Sequence, residues 1–200
     1  MPKISPPEFL AQPFRVHSFL AGVALRDVWA VDLPAFRKRI TLQEFLERTK
    51  RKGSGGQFTL PTRLLIRLRL LIGRILGWDS EKSETPKELF AERLTPEDRA
   101  RSAVPAGTRE GLFRVVYSFE NEALVELVNR TAHAAALSAL AETSEGYRFY
   151  FAIYVRNRGW LTLVYMALID PFRKWVVYPA ILSQIESNWT RAFGADVAER

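Results

Sequence analysis

Hydrophobic and polar residues alternate along four successive segments in the second half of the chain. These segments are Leu112–Phe119, Ala123–Asn129, Thr131–Glu142 and Tyr147–Arg156. A period of two is the pattern of a β-strand, and the short polar connections between the segments are typical of hairpins. The third segment also has helical propensity, but its position between strands favours a strand. The pattern therefore predicts an antiparallel meander of four strands.

The alternation also assigns side chains to the two faces of the predicted sheet. In the first segment, Tyr117 shares a face with apolar neighbours and is expected to point inward. In the last segment, Tyr147 begins a strongly apolar face, whereas Tyr150 and Tyr154 lie opposite it together with two arginines. We therefore expect Tyr150 and Tyr154 on the wetter, convex side of the sheet.

One further strand and several helices precede the meander. Leu25–Leu33 alternates and stops before Pro34, which predicts a first strand. Helix start signals follow at Thr41 (with Glu44, for a helix to about Lys50), at Pro61 (for a helix over Thr62–Leu76), at Thr85 and at Thr95. The glycine-rich stretch Lys50–Gly56 predicts a flexible loop.

The stretch Trp160–Phe193 follows the last strand and predicts a long C-terminal helix. Asp170 and Pro171 form a start signal within it, so we expect two helical pieces, with a kink at Pro179 in the second. Spacings of three and four residues place one aromatic and aliphatic stripe on the second piece. The stripe consists of Trp175, Tyr178, Leu182, Ile185, Trp189 and Phe193.

This order of elements predicts the α+β class. We expect a curved antiparallel sheet wrapped on the long C-terminal helix, with a cavity between them. A chain of 200 residues fits one domain. The expected organisation is an N-terminal arm over residues 1–24, the domain over 25–193 and a tail over 194–200.

Composition narrows the classes of function. The chain has no cysteine, which excludes disulfides and thiolate chemistry. Its net charge of +7 comes mainly from dispersed arginines without interleaved aromatic residues, which favours a solvated basic surface over a nucleic-acid partner. The most apolar stretch, Gly159–Leu182, contains Asp170 and two basic residues, which argues against a membrane span. The N-terminus lacks a signal-peptide pattern, so the expected location is the cytoplasm.

Known motifs for metal or cofactor chemistry are not found in the sequence. The two histidines, His17 and His133, are far apart and lack partners at ligand spacing, so no metal site is expected. The chain has no GxSxG motif, and Gly53–Gly56 lacks the lysine and serine of a phosphate loop, so no cofactor is expected. His133 has two interpretations: a histidine hydrogen-bonded within the sheet, which we favour, or a base facing a cavity.

Arg69 is the strongest single candidate for a binding residue. In the predicted helix Thr62–Leu76 it lies among apolar residues, away from the three other arginines of that helix. An arginine on an apolar face needs an anionic partner. That partner is either an internal carboxylate, such as Glu126 or Asp27, or the carboxylate or phosphate of a ligand. The same basic, apolar helix could alternatively lie on a membrane surface.

Two stretches resemble an uncharacterised bacterial family, a domain of unknown function related to the helix-grip superfamily. One is Leu68–Gly77, which ends in a hydrophobic-glycine pair, and the other is Tyr165–Arg173 followed by Val177–Ala180, with its Tyr-Met and Pro-Phe pairs. The helix-grip superfamily includes START lipid-transfer domains, polyketide cyclases and plant pathogenesis-related proteins. The resemblance spans roughly residues 25–193 and implies a hydrophobic cavity between sheet and terminal helix. It implies no catalytic residues, and Arg173 stands where many members have histidine.

These observations lead to one expected function and two alternatives. We expect a non-enzymatic domain that binds a small apolar or amphipathic, lipid-like ligand without a cofactor. The residues expected to bind it are Arg69, Tyr117, His133, Tyr147, Trp175 and Tyr178. The first alternative is a cofactor-free enzyme of the cyclase or hydrolyase type that uses the same cavity. The second is a protein that associates peripherally with membranes through its basic helix and terminal aromatic residues.

Overall fold

A computed structural model of the chain shows a six-stranded antiparallel sheet with helices packed on both of its faces. The structure describes residues 4–51, 88–111, 113–128, 133–156, 175 and 178–194. The described helices are α1 (Pro6–Leu10), α2 (Val16–Phe19), α3 (Leu42–Arg51), a 3-10 helix (Phe90–Arg93), α4 (Pro96–Arg101) and α5 (Tyr178–Phe193). The strands are β1 (Ala24–Pro34), β2 (Arg109–Glu110), β3 (Phe113–Ser118), β4 (Glu122–Val128), β5 (His133–Glu142) and β6 (Gly146–Arg156).

The strand order is β1-β6-β5-β4-β3-β2, with every neighbouring pair antiparallel. Strands β3 to β6 are neighbours in the sheet in the same order as in the sequence. Strand β1, which comes first in the sequence, pairs with β6 along its whole length. Bulges interrupt the register between Leu25 and Asp27 in β1 and between Val115 and Tyr117 in β3. Such bulges bend strands and increase their twist, as a curved open sheet requires. The predicted α+β class, with a curved antiparallel sheet and a C-terminal helix, is confirmed.

We call the side of the sheet that packs against α3 and α5 the helix face. Trp29 and Val31 of β1 and Phe149 of β6 are buried on this face. They share one apolar cluster with these helix residues: Leu42 and Phe45 of α3, and Tyr178, Leu182, Trp189 and Phe193 of α5. From Tyr178 onward the predicted stripe on the terminal helix is therefore buried, except for Ile185, which is half-buried against the same cluster.

We call the opposite side the arm face, because residues 4–20 cover it. Phe9 of α1 and Val16 of α2 are fully buried there, in one cluster with Phe90 of the 3-10 helix. The prediction that Tyr150 and Tyr154 lie on a wet side is wrong: both are buried in this cluster. The segment predicted as an N-terminal arm contains two short helices, Pro6–Leu10 and Val16–Phe19. Alternation shows which residues share a face, but not which segment covers that face.

The bulge in β3 also changes the predicted faces of that strand. Strict alternation would place Val116 and Tyr117 on opposite faces. Both residues are fully buried in the arm-face cluster, because the extra residue at the bulge shifts the phase of the strand. Tyr117 is buried, but it lies on the arm face together with Tyr150 and Tyr154, and not on the helix face.

Two of the predicted helix caps are present. The hydroxyl of Thr41 accepts a hydrogen bond from the amide of Glu44 at 3.2 Å, and the hydroxyl of Thr95 accepts one from the amide of Asp98 at 3.1 Å. Several other predictions concern residues outside the described ranges. They are the loop Lys50–Gly56 beyond residue 51, the helix Thr62–Leu76, the helix start at Thr85, the helical piece Trp160–Ile169 and the residues directly before the expected kink at Pro179. Among the described helices, none has the length and apolar character to cross a bilayer.

Candidate functional site

The six residues predicted to bind a ligand do not come together at one place. Tyr147 and Tyr178 are buried on the helix face. Tyr117 and His133 lie on the arm face, so the whole thickness of the sheet separates them from the first pair. Trp175 is 81% exposed, and Arg69 lies outside the described residues. A ligand on the helix face could therefore reach Tyr147 and Tyr178, but not Tyr117 or His133.

The end of the helix face beside Tyr147 is closely packed. The Tyr147 hydroxyl accepts a hydrogen bond from the Ile40 amide at 2.9 Å and donates one to the Arg37 carbonyl at 3.0 Å. The indole N–H of Trp189 donates to the Pro34 carbonyl at 2.9 Å. Every polar atom of these two side chains therefore has a protein partner, and their rings lie 5.3 Å apart. Tyr147 has a structural role here.

The other end of the helix face is more open. Six apolar side chains of the central strands are only half-buried: Val125, Leu127, Ala134, Ala136, Phe151 and Ile153. We call these residues the apolar floor. Cross-strand pairing places them next to one another, because Val125 pairs with Ala136, Ala136 with Ile153, and Leu127 with Ala134. Ala134 and Ala136 of β5 lie at the centre of this patch.

Trp29 and Tyr178 border the apolar floor. Trp29 pairs with Phe151 across β1 and β6, and its ring centroid lies 5.4 Å from that of Tyr178 on α5. The Tyr178 ring in turn lies 5.9 Å from Phe151. The indole nitrogen of Trp29 is buried and has no hydrogen-bond partner among the described residues. Asp27, two positions earlier and paired with Ile153, is 3% exposed on the same face.

The arm face contains a buried carboxylate-histidine pair. Nε2 of His133 lies 2.8 Å from Oε2 of Glu126, and both side chains are almost completely buried. The same carboxylate accepts hydrogen bonds from the amides of Phe90 at 2.9 Å and Ala91 at 3.3 Å. Burial alone would raise the pKa of Glu126, but the hydrogen bonds from His133 and the two amides outweigh it and lower the pKa. Glu126 is therefore ionised at neutral pH.

The imidazole of His133 is held in one orientation. An ionised carboxylate only accepts hydrogen bonds, so Nε2 donates to Glu126. The ring stacks on Phe90, with centroids 3.9 Å apart and an angle of 27° between the planes. Nδ1 is buried and has no hydrogen-bond partner within the described ranges. His133 is thus hydrogen-bonded within the protein, which was the favoured interpretation of its place in the sequence.

A second buried carboxylate, Glu122, holds the start of α2. Its oxygens accept hydrogen bonds from the amides of Arg15 at 2.7 Å and Val16 at 2.9 Å, and from the Tyr117 hydroxyl. Burial raises the pKa of Glu122, although these hydrogen bonds oppose the rise. The Tyr154 hydroxyl is also buried on this face, and in the described part of the chain it has no partner.

Arg15 is held by a further acid. Its guanidinium donates to both oxygens of Asp98, through Nε at 3.2 Å and Nη2 at 2.8 Å. These hydrogen bonds lower the pKa of Asp98 and fix α2 to the first turn of α4. On the same side of the sheet, Arg148 binds Asp32 at 2.6 Å and Glu8 of α1 at 2.7 Å. Ion pairs therefore attach residues 4–20, which cover the arm face, to α4 and to β6.

The sequence analysis did not identify Glu122, Glu126 or Trp29 as special residues, apart from naming Glu126 as a possible partner of Arg69. One signal was available for the acids. Both glutamates are in phase with Leu124 on β4, so the alternation places three residues on one face, two of them charged. A charged residue in phase with the core side of a strand needs an internal partner. Nothing local in the sequence indicates that partner.

Comparison with protein families gives one match over most of the chain. Residues 19–180 match the model of a family described as protein of unknown function (DUF2867). Since this match covers more than half of the 200 residues, the chain belongs to that family. A search of curated proteins finds no match.

Proposed function

We propose that this member of the DUF2867 family binds a small, largely apolar ligand between the helix face of its sheet and its C-terminal helix. The observation that supports the proposal is the apolar floor, which is half-buried on the same face that α5 crosses. We further propose that the arrangement is of the helix-grip, START-like kind. Ligand sites are typically concave and mostly apolar, with a few placed polar groups.

Two features of the helix face favour a ligand over ordinary core packing. First, α5 is packed tightly at its C-terminal end, where Trp189 and Phe193 have rings 4.8 Å apart and both are fully buried. Second, the apolar floor is only half-buried, whereas the neighbouring residues of β5 on the arm face, Ala135 and Leu137, are buried. One end of the helix is thus anchored, and the proposed ligand would lie beside its other end.

The test is to fill the proposed space and measure both stability and binding. In Ala136→Leu, the added methyl groups would occupy the space above the floor. We expect saturable binding of the apolar fluorescent probe N-phenyl-1-naphthylamine to the wild type, and at least a tenfold weaker affinity in Ala136→Leu. Ala100→Leu is the matched control, because Ala100 is exposed on α4.

Thermal unfolding of the same variant gives an independent result. Overpacking a filled core costs about 1–3 kcal/mol, whereas filling an empty space leaves stability unchanged or raises it. We therefore expect Ala136→Leu to melt no lower than the wild type. A clear loss of stability, together with no probe binding by the wild type and no co-purifying small molecule in native mass spectrometry, would refute the proposal.

The Glu126–His133 pair supports a second candidate, a cofactor-free enzyme. A carboxylate that orients an imidazole while leaving its other nitrogen without a partner is the arrangement of a general base. This pair is on the arm face, so such an enzyme would use a different site from the apolar floor. The test is whether His133 can be reached: rapid modification by diethyl pyrocarbonate, absent in His133→Gln, would favour it. Complete protection in the folded protein would refute it.

A further inference from the structure

Ser138 is a polar residue of the helix face whose neighbours on that face are apolar. It lies on β5, two positions after Ala136 of the apolar floor and two before Leu140, which is buried in the helix-face cluster. It pairs with Ala123 of β4 and with Phe151 of β6, and both of these pack against the same cluster. Residues two apart on a strand share a face, as do residues paired across strands. The Ser138 side chain therefore points to the helix side of the sheet.

The helix face is open above Ser138. Ser138 is half-buried, whereas the residues directly before and after it on β5, Leu137 and Ala139, face the other way and are completely buried. Strand β5 is central in the sheet, with β6 and β4 hydrogen-bonded along its two edges. Solvent can therefore reach the Ser138 side chain only from above the helix face. A ligand atom can reach the hydroxyl by the same route.

The Ser138 hydroxyl has no partner of its own in the described part of the chain. For comparison, the hydroxyl of Ser102 donates to the Val104 carbonyl at 2.6 Å. A serine hydroxyl can donate one hydrogen bond and accept others, and water fills this role at an accessible position. A hydrocarbon that displaces the water leaves the hydroxyl unpaired, which costs free energy, whereas an oxygen atom at the same place restores the hydrogen bond.

We infer that the Ser138 hydroxyl binds a carbonyl or hydroxyl oxygen of the ligand and makes the site selective for apolar molecules that carry one. The apolar body of such a ligand would lie on the floor, two of whose residues, Ala136 and Phe151, are direct neighbours of Ser138. This inference rests on the proposed function and deepens it, since it names the class of ligand.

The experiment compares two probes of nearly equal shape. 2-Acetonaphthone has a carbonyl group, and 2-ethylnaphthalene has no hydrogen-bonding group. Their affinities for the wild type, Ser138→Ala and Ser144→Ala are measured by displacement of N-phenyl-1-naphthylamine. Ser144→Ala is the matched control, because Ser144 is exposed in the turn between β5 and β6.

The deciding quantity is the ratio of the ketone affinity to the hydrocarbon affinity. Comparing this ratio between variants cancels the different hydrophobicity of the two probes. From the strength of a neutral hydrogen bond, we expect the ratio to fall about 2- to 13-fold in Ser138→Ala. It should stay unchanged in Ser144→Ala.

The carbonyl stretching band of the bound ketone gives a second measurement. A hydrogen bond from a hydroxyl lowers the frequency of this band. With isotope-labelled 2-acetonaphthone, the band should therefore lie at lower frequency in the wild type than in Ser138→Ala. A merely structural role of Ser138 would weaken the binding of both probes alike and leave the frequency unaltered.

The possible failures are distinguishable. An unchanged affinity ratio and an unshifted band in Ser138→Ala would overturn the inference. If both probes then still bind the wild type saturably and Ala136→Leu weakens them, the proposed function stands without it. If neither probe binds the wild type saturably, or if Ala136→Leu leaves their affinities unchanged, the proposed function itself fails, and the inference fails with it.

Discussion

Replacing Glu126 should both destabilise the protein and release one segment from the sheet. The Glu126 carboxylate is the acceptor for three buried donors: Nε2 of His133 and the amides of Phe90 and Ala91. In Glu126→Gln the side chain keeps its size and one carbonyl oxygen, but it loses its charge and one acceptor atom. In Glu126→Leu all three donors lose their acceptor.

The magnitude follows from the type of hydrogen bond. A bond to a charged group contributes about 1.5–3 kcal/mol, compared with about 0.5–1.5 kcal/mol for a neutral one. Each of the three bonds at Glu126 is then weakened by about 1–1.5 kcal/mol, so we expect Glu126→Gln to lower the free energy of unfolding by about 3–4.5 kcal/mol. Leaving three donors buried without an acceptor costs about 1–3 kcal/mol each, up to about 9 kcal/mol in total, so Glu126→Leu should be the worse variant. For a chain of this size, each kcal/mol lowers Tm by about 2–4 °C.

The assay combines urea unfolding with hydrogen exchange. Unfolding gives the change in stability, and exchange shows where protection is lost. In Glu126→Gln the amides of Phe90 and Ala91 should exchange faster than in the wild type, by a larger factor than amides of β6. The control is Glu142→Gln, because Glu142 is an exposed residue of β5, and surface substitutions usually change stability by less than about 0.5 kcal/mol.

Two results would refute this reasoning. One is a stability change in Glu126→Gln no larger than in Glu142→Gln. The other is a large stability change with unaltered exchange at Phe90 and Ala91. In the second case the cost would come from elsewhere, and the carboxylate would not be what fixes the 3-10 helix to the sheet.

Four further predictions concern polar or crowded positions. Because burial raises the pKa of Glu122 above its ordinary value of 4.5, the native protein binds a proton before the unfolded chain does. Its contribution to stability should therefore rise as the pH falls from 7 toward 4.5, and Glu122→Gln should remove this rise in urea unfolding at pH 7 and pH 5. Glu126, with a lowered pKa, should show the opposite sign: the advantage of wild type over Glu126→Gln is complete above pH 4.5 and shrinks below it. Tyr147→Phe leaves the Ile40 amide without its acceptor and should cost about 1–3 kcal/mol in the same assay, with no change in probe binding at the apolar floor. Gly146→Ala would push a Cβ into the backbone carbonyl of the neighbouring strand, so Tm should fall by several degrees, and an unchanged Tm would contradict that packing.

The sequence was a good guide to the strands. The predicted strand Leu25–Leu33 is Ala24–Pro34 in the structure, and the predicted Tyr147–Arg156 is Gly146–Arg156. Both segments are runs of strand length that are rich in valine and aromatic residues, and turn residues end them cleanly. The caps at Thr41 and Thr95 were equally recognisable, since a cap depends only on residues within one helical turn.

The covering of the arm face could not be predicted in the same way. Val16 and Glu122 are hydrogen-bonded although they are 106 residues apart in sequence. No local period carries that information, so alternation alone predicts a wet side for Tyr150 and Tyr154, although both are buried in the cluster with Phe9 of α1 and Val16 of α2. The bulge in β3 was missed for a related reason, because a one-residue change of phase looks like noise in a short segment. The apolar floor was likewise invisible, since half-burial depends on what lies above the sheet.

The buried acids of the arm face have a shared arrangement that explains why a core surface carries charge. Each accepts two successive backbone amides from a segment crossing the sheet: Glu122 those of Arg15 and Val16, and Glu126 those of Phe90 and Ala91. Apolar contacts are tolerant of small shifts along a segment, whereas two amides on one carboxylate allow a single position. Replacing these acids with apolar residues would keep the burial but lose that alignment. On the helix face, α5 is positioned by its aromatic stripe and by the hydrogen bond from Trp189 to the Pro34 carbonyl, and the six residues of the apolar floor are all uncharged. The two faces therefore differ in role. The arm face fixes the position of the segments that cover it, and the helix face provides the apolar surface on which a ligand is proposed to bind.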